Sequence, residues 1–276
     1  MIFYFADAAR QKARVVIVGM PLDRTSSYIS GTRFGPNAAR IGADNIESFS
    51  PYQHRDIAEI PVHDSGNLEF SYEKPDAPVK LIAKTTRAHY RAGKKQLAIG
   101  GEHTIAPAII SELSHSIPNL CVIQFDAHSD LRDDYLGEKW CHATAMRRVL
   151  EYIPRQRLFQ IGIRSFSRPE EMNITNIFPF ELLSPTKQVM HEIGSRPAYI
   201  TLDLDVLDPG TLPDVQTPQP GGCSYQELVR ALIQLSELNI VGCDIAEFCP
   251  CGCHPSPGSS LVAELIRELA LLLDKK

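Results

Sequence analysis

The sequence predicts an α/β fold in three layers (α/β/α), with helices on both faces of a mostly parallel central sheet. Three observations carry this prediction. Short β-branched runs recur along the chain with helical stretches between them, the runs are apolar nearly throughout, and several of them lead straight into a polar cluster. The 276 residues, 43% of them hydrophobic, suffice for one large core. No internal repeat or linker divides them, so residues 1–276 are expected to form a single domain.

In chain order the expected strands are Arg14 to Val18, Gln96 to Ile99, Leu120 to Phe125, Leu158 to Ile163, Ala198 to Asp203 and Asn239 to Asp244. A Gly- and Pro-bearing loop, Gly19 to Pro36, precedes a helix expected to start near Pro36, because proline suits the first helical turn. Apolar residues at helical spacing mark Leu81 to Arg91 and Tyr225 to Leu238, and Leu261 to Leu273 reads as a closing C-terminal helix.

The formal net charge of -5 leaves no basic footprint for nucleic acid or an anionic membrane surface. No apolar run approaches the roughly 20 residues of a membrane-spanning helix. Asp7, Arg10 and Lys12 interrupt the stretch where a signal peptide needs apolar residues, so a cytoplasmic location is expected. Seven Cys, an odd number, do not read as a secreted disulfide framework.

Four strands end in clusters that carry chemistry: Gly100-Gly-Glu-His-Thr104, Asp126-Ala-His-Ser-Asp130, Asp203-Leu-Asp205 and Asp244-Ile-Ala-Glu247. Ligands bind at the carboxyl ends of strands in open α/β sheets, so these clusters are expected to meet in one crevice. Alternate strand residues share a face, which would project Asp126 with His128, and Asp203 with Asp205. Carboxylates and neutral imidazoles suit Mn, Fe, Zn or Mg, and carboxylates can bridge two ions. Crowded carboxylates in low dielectric repel, and cations relieve that repulsion. A lone Asp-x-Asp is ordinarily a cap or turn, and Asp208-Pro209-Gly210 reads that way; four clusters at successive strand ends call for a metal-dependent hydrolase instead.

These residues resemble the ureohydrolases, the family of arginase, agmatinase and formiminoglutamase. The resemblance rests on the Glu102-His103, Asp126-Ala-His128-Ser-Asp130, Asp203-Leu-Asp205-Val-Leu-Asp-Pro and Asp-Ile-Ala-Glu247 segments in order, and runs from about Gly19 to the C-terminal helix. It implies an arginase-like fold and two Mn(2+) ions per subunit, one held by His103, Asp126, Asp130 and Asp203, the other by Asp126, His128, Asp203 and Asp205, with Asp126 and Asp203 bridging. It further implies that Glu247 grips the guanidinium of a small-molecule guanidino substrate, that a metal-bridging hydroxide attacks the guanidinium carbon, and that His142 moves protons beside the catalytic centre. A homotrimer or homohexamer is implied as well. Tyr28 and Arg33 are placed either at the site mouth or in structural roles.

Tyr28 to Pro36, Leu207-Asp-Pro-Gly210 and Thr217 to Gly222 are more similar to agmatinase than to arginase, which implies agmatine cleavage to putrescine and urea. Two segments depart from that pattern. Asp214-Val-Gln216 stands where agmatinases commonly show Gly-Thr-Gly, and Cys249 to Ser259 replaces a more acidic, Thr-bearing loop, which leaves aminopropylagmatine, guanidinobutyrate and arginine open as substrates. Cys249, Cys251, Cys253 and His254 could hold zinc or copper, but Pro250 and Gly252 favour an ordinary irregular loop. Two rival readings are an amide deacetylase, whose architecture is shared but whose His-His pairs are missing here, and an inactive polyamine-binding relative, against which the intact set of ligands speaks.

Overall fold

The computed structural model describes residues 1–71, 74, 76–167, 176–250 and 256–274. Strand β1 (Val15–Met20) leads through helix α1 (Gly35–Gly42) and a small hairpin, β2 (Phe49–Ser50) with β3 (Arg55–Asp56), to β4 (Val62–Asn67). The chain then alternates: α2 (Ala77–Arg91), β5 (Lys95–Gly100), α3 (Ile105–Ser116), β6 (Cys121–Phe125), α4 (Ala145–Val149) and β7 (Leu158–Ile163). It closes with β8 (Ile177–Pro179), α5 (Leu183–Ile193), β9 (Pro197–Asp203), α6 (Tyr225–Gln234), β10 (Asn239–Ala246) and α7 (Pro257–Leu273).

Eight strands form one sheet in the order β4-β1-β5-β10-β9-β6-β7-β8, and every neighbouring pair is parallel. The sheet is therefore wholly parallel among the described residues, where a mostly parallel one was expected. Strand alternation feeds two separate cores. Val15, Ile17, Ile123, Ile200 and Ile245 pack with α1, α5, α6 and α7 on one face. Val18, Met20, Ala98, Val122 and Tyr199 pack with α2, α3 and α4 on the other. Burial on both faces explains why these strands read as continuous apolar runs.

Each expected strand is present. The two missed sheet strands lie at the edges: β4 is Val-His-Asp-Ser-Gly-Asn, with only Val62 and Asp64 buried, and β8 has three residues. The helix expected near Pro36 starts at Gly35, with proline in its first turn. Helix α6 begins where Ser224 and Glu227 form a reciprocal capping box. Its expected end at Leu238 is too far, since the last residues tighten into a 3-10 turn, Leu235–Glu237. Helix α7 starts one turn earlier than its apolar spacing indicates, because Ser256 caps it and Pro257 opens it. No described helix is long and apolar enough to cross a membrane.

Ile200 sits in β9, between β10 and β6, with no solvent exposure. Ile200→Ala is expected to cost about 2–5 kcal/mol of unfolding free energy through lost burial and a residual cavity. Denaturant unfolding measures this; a loss below about 0.5 kcal/mol would contradict a tightly packed centre.

Candidate metal centre

The four polar clusters follow β5, β6, β9 and β10, the four central strands of the sheet, at their carboxyl ends. His103 brings its Nδ1 within 3.2 Å of Asp126 Oδ2, 3.1 Å of Asp130 Oδ2 and 3.3 Å of Asp203 Oδ2. His128 Nδ1 lies 2.7 Å from Asp205 Oδ2 and 3.7 Å from Asp126 Oδ1. Two groups that could each hold a cation result: His103, Asp126 and Asp203, and Asp126, His128 and Asp205. Asp126 is common to both and turns one oxygen to each. Asp130 adjoins the first group; Asp203 enters it through Oδ2, while its Oδ1 accepts the Asp205 N–H beside the second.

Strand alternation is not what aligns these pairs, which corrects the expectation from sequence. Strand β6 ends at Phe125, and Asp205 lies in a 3-10 turn, Leu204–Val206, past the end of β9. The pairs converge because each aspartate folds the chain back on itself: Asp126 Oδ1 accepts the His128 N–H at 2.5 Å and Asp203 Oδ1 accepts the Asp205 N–H at 2.9 Å. Asp130 and Glu247 both have positive φ, 52° and 67°, a conformation that costs a glutamate on the order of 1 kcal/mol and is held here by the surrounding bonds.

A chain of hydrogen bonds orients His103. Thr201 Oγ1 donates to Asp244 Oδ1 at 2.8 Å, so it must accept from His103 Nε2–H, also at 2.8 Å. In the neutral ring this leaves the Nδ1 lone pair aimed at three carboxylate oxygens, and Nδ1 indeed has no hydrogen-bond partner. A lone pair facing anions is repulsive, whereas a cation between them turns every contact attractive, so the residues present fit a metal. Gln124, two residues before Asp126 on β6, donates to Asp126 Oδ2 at 2.6 Å and is steadied by Gln160 at 2.6 Å.

Burial and mutual repulsion raise the Asp126 carboxyl to about 7 and that of Asp203 well above the carboxylate range, Asp205 being the foremost repelling neighbour of each. Burial opposes charge on the two histidines, but the carboxylates outweigh it. They raise His103 well above its ordinary value and, with Asp205 foremost, raise His128 to about 10. Asp205, despite burial, is held below the usual range by His128. Burial and the Asp203 charge push Glu247 up.

Glu247 and His142 join this centre. Glu247 Oε1 accepts the His103 N–H at 2.6 Å, and Oε2 accepts from Gln216 Nε2 at 3.0 Å. A cavity of about 220 Å³ has Glu247, Asp203, Asp130, His128, His142 and Ser27 on its wall. The Asp23 to Ser27 loop holds His142. Glu102 Oε2 accepts from the Arg24 and Thr25 N–H groups and from the Thr25 hydroxyl. Thr25 Oγ1 must then accept from His142 Nδ1–H at 3.2 Å, which leaves Nε2 to accept from the Ser27 hydroxyl at 3.1 Å. Gly101 permits this approach, since a Cβ there would stand 1.9 Å from the Leu22 carbonyl oxygen. Burial lowers the His142 pKa against the pull of Asp130 and Glu102.

Sequence reasoning missed Thr25, Ser27, Gln124 and Thr201 as parts of the site; it placed Glu102 in a crevice cluster and Gln216 in a departing segment without giving either a role. Gln124 and Thr201 had a usable signal, since each lies two residues before a site aspartate. Tyr28 is exposed and Arg33, half exposed, lies 3.6 Å from Asp23; neither is on the cavity wall. Asp208 is the turn residue expected, accepting from the Gly210, Gly221 and Gly222 N–H groups. Cys249 is buried, with its Sγ 3.5 Å from the Ser30 carbonyl oxygen, while Cys251, Cys253 and His254 lie outside the described residues.

Fold and site together define a class: an α/β protein with a buried Asp and His cage at the carboxyl edge of a parallel sheet. Residues 13–272 match the family model of the arginase family, and the chain belongs to that family of ureohydrolases. It is 34% identical over 267 residues to an agmatinase of Bacillus subtilis, spanning 95% of this chain and 92% of that one. An N(1)-aminopropylagmatine ureohydrolase of Thermus thermophilus is 30% identical over 263 residues, spanning 91% and 88%. The crystal structure of the agmatine ureohydrolase of Thermoplasma volcanium superposes with a TM-score of 0.89 at 30% identity, covering 99% of this chain and 94% of that one.

These charges predict how chelated protein responds to pH. The stability that His103 and His128 contribute is complete below about 6.5 and is lost as pH rises towards their folded-state values, about 10 for His128. Asp126, raised to about 7, lowers stability as pH rises from about 3.9 to about 7, where the unfolded chain ionises it while the fold keeps it protonated. Asp205 is ionised throughout that window and adds no slope. Chelated protein is therefore expected to melt lower as pH rises from about 6 to about 9, and a divalent cation is expected to restore the loss with release of protons. Melting curves and calorimetry in buffers of different ionisation enthalpy measure both; a melting temperature indifferent to chelation would contradict the cage.

Proposed function

We propose that this chain hydrolyses a guanidino compound, with agmatine to putrescine and urea as the first reading, using two manganese ions. His103, Asp126, Asp130 and Asp203 would hold one ion, and Asp126, His128, Asp203 and Asp205 the other. The observation that carries the reading is the position of Glu247: a buried carboxylate, fixed at both oxygens, on the wall of the same cavity as the cage. When bound, a pair of divalent cations supplies hydroxide near neutral pH by lowering the pKa of a water shared between them.

The remaining steps belong to side chains. A guanidinium is a planar fork of N–H donors, and the two Glu247 oxygens match it bidentately, which sets the guanidinium carbon over the cage. Glu247 itself is buried, which limits the water that can compete for those bonds. Oxygen from water joins the carbon, the bond from carbon to the alkyl nitrogen breaks, and the departing amine needs a proton. His142, whose burial favours the neutral ring, takes at Nε2 the proton that the water gives up as its oxygen joins the carbon, and delivers it to that nitrogen as the bond from carbon breaks.

The names borne by the relatives support agmatine first and an aminopropyl-extended agmatine second. The two substrates share the guanidinium end and differ beyond it, where Asp214 to Gln216 departs from the agmatinase pattern. A homotrimer or homohexamer is part of the same proposal, and light scattering on the purified protein reads it.

Urea release from manganese-loaded protein over a panel of agmatine, aminopropylagmatine, guanidinobutyrate and arginine tests the proposal. Agmatine or its aminopropyl derivative is expected to give the highest kcat/KM. Loss of the shared ligand in Asp126→Asn is expected to abolish turnover, and Glu247→Gln to lower kcat/KM by about 10- to 100-fold. His142→Asn is expected to lower kcat by roughly 10²- to 10⁴-fold. Wild-type turnover by Asp126→Asn at full metal content, or no urea from any of the four compounds, would contradict it.

A further inference from the structure

Gln216 stands in the segment that departs from the Gly-Thr-Gly pattern of agmatinases, and its side chain is fully buried. Its direction follows from a short antiparallel pairing. Val215 bridges Phe248, and the Cys249 N–H donates to the Asp214 carbonyl at 2.9 Å, which sets Gln216 opposite Glu247. Both ends of the amide are used. Nε2 donates to Glu247 Oε2 at 3.0 Å, and Oε1 accepts the Ser27 N–H at 3.0 Å. The amide has only one workable orientation, since a backbone N–H must meet the oxygen and a carboxylate must meet the NH₂. A glycine at this position makes neither bond.

We infer that Gln216 is a positioning residue for substrate binding, which locks the rotation of the Glu247 carboxylate and ties it to the loop that holds His142. This deepens the proposed function and rests on the reading of Glu247 as the guanidinium-binding group. The terminal torsion of a glutamate is soft, so a carboxylate held at one oxygen turns easily. With His103 N–H on Oε1 and Gln216 on Oε2, it is held at two. A guanidinium needs both oxygens in one plane, so this fixation removes an ordering cost from binding. Gln216 is not among the residues on the cavity wall; it acts through Glu247. The Ser27 N–H bond extends the same tie, because the Ser27 hydroxyl contacts His142 Nε2. In this chain one amide thus joins the group that would grip the substrate to the loop behind the group that would move its proton.

Two variants of the full chain, loaded with manganese, test the inference. Gln216→Met keeps the length of the side chain and removes both polar ends; Gln216→Gly installs the residue of the agmatinase pattern. For each, KM and kcat are measured on the best guanidino substrate, together with the calorimetric Kd of guanidinium chloride and the melting temperature. Both variants are expected to raise KM and the guanidinium Kd about tenfold or more, while kcat stays within about threefold. Should the methionine variant fail to fold, the glycine variant, which has nothing to overpack, gives the same readout. Unchanged KM and guanidinium Kd in an active enzyme would overturn the inference alone, as would a fall in kcat and melting temperature with KM unmoved, the signature of a merely structural role. A wild type inert toward every guanidino compound and unable to bind guanidinium would overturn the proposed function and this inference with it.

Discussion

Four aspartates, Asp126, Asp130, Asp203 and Asp205, share one buried pocket, and the repulsion among them is the constraint to which the rest of the structure answers. Like charges at this spacing in a low-dielectric interior cannot all stay ionised unaided. Their response divides along physical lines. Asp205, paired with His128 and bonded to the Ala127 N–H, stays ionised readily, while Asp126 and Asp203 are driven up into the range where they keep protons. Such a grouping persists only because the sheet holds it and because cations can take the place of those protons.

The sheet supplies that hold. Strands β5, β10, β9 and β6 are adjacent and parallel, so their carboxyl ends deliver His103, Glu247, Asp203 and Asp126 to one edge without any long excursion of the chain. Around them, polar groups fix orientation rather than add ligands. Gln124 meets Asp126, the Thr201 and Asp244 pair meets His103, and the Glu102 carboxylate pins the loop whose hydroxyls face His142. Histidine and carboxylate ligands ordinarily require such partners to set their tautomer and direction.

Much of this was legible in the sequence, and the reasons differ from element to element. Strands buried on both faces announce themselves as unbroken apolar runs, and polar residues immediately after such a run are conspicuous, which is why the cage residues could be picked out. Edge strand β4, half polar, offers no such contrast. The pairing of Asp126 with His128 was anticipated for an incorrect reason, because a strand period was assumed where aspartate turns operate. The hydroxyls of Thr25 and Ser27 were not legible at all, and Gln216 stood out only as part of a departing segment, without its bond to Glu247: each acts through a loop, Gln216 is brought to the site by pairing with a segment more than thirty residues away, and no local period encodes that approach.

Everything functional in this account depends on two cations sharing the carboxylate of Asp126. Anomalous X-ray diffraction from crystals of the protein grown with manganese addresses that directly. The account predicts two peaks about 3.5–4 Å apart, one against His103 and one against His128, with Asp126 between them. A single peak, or manganese bound away from these residues, would contradict it.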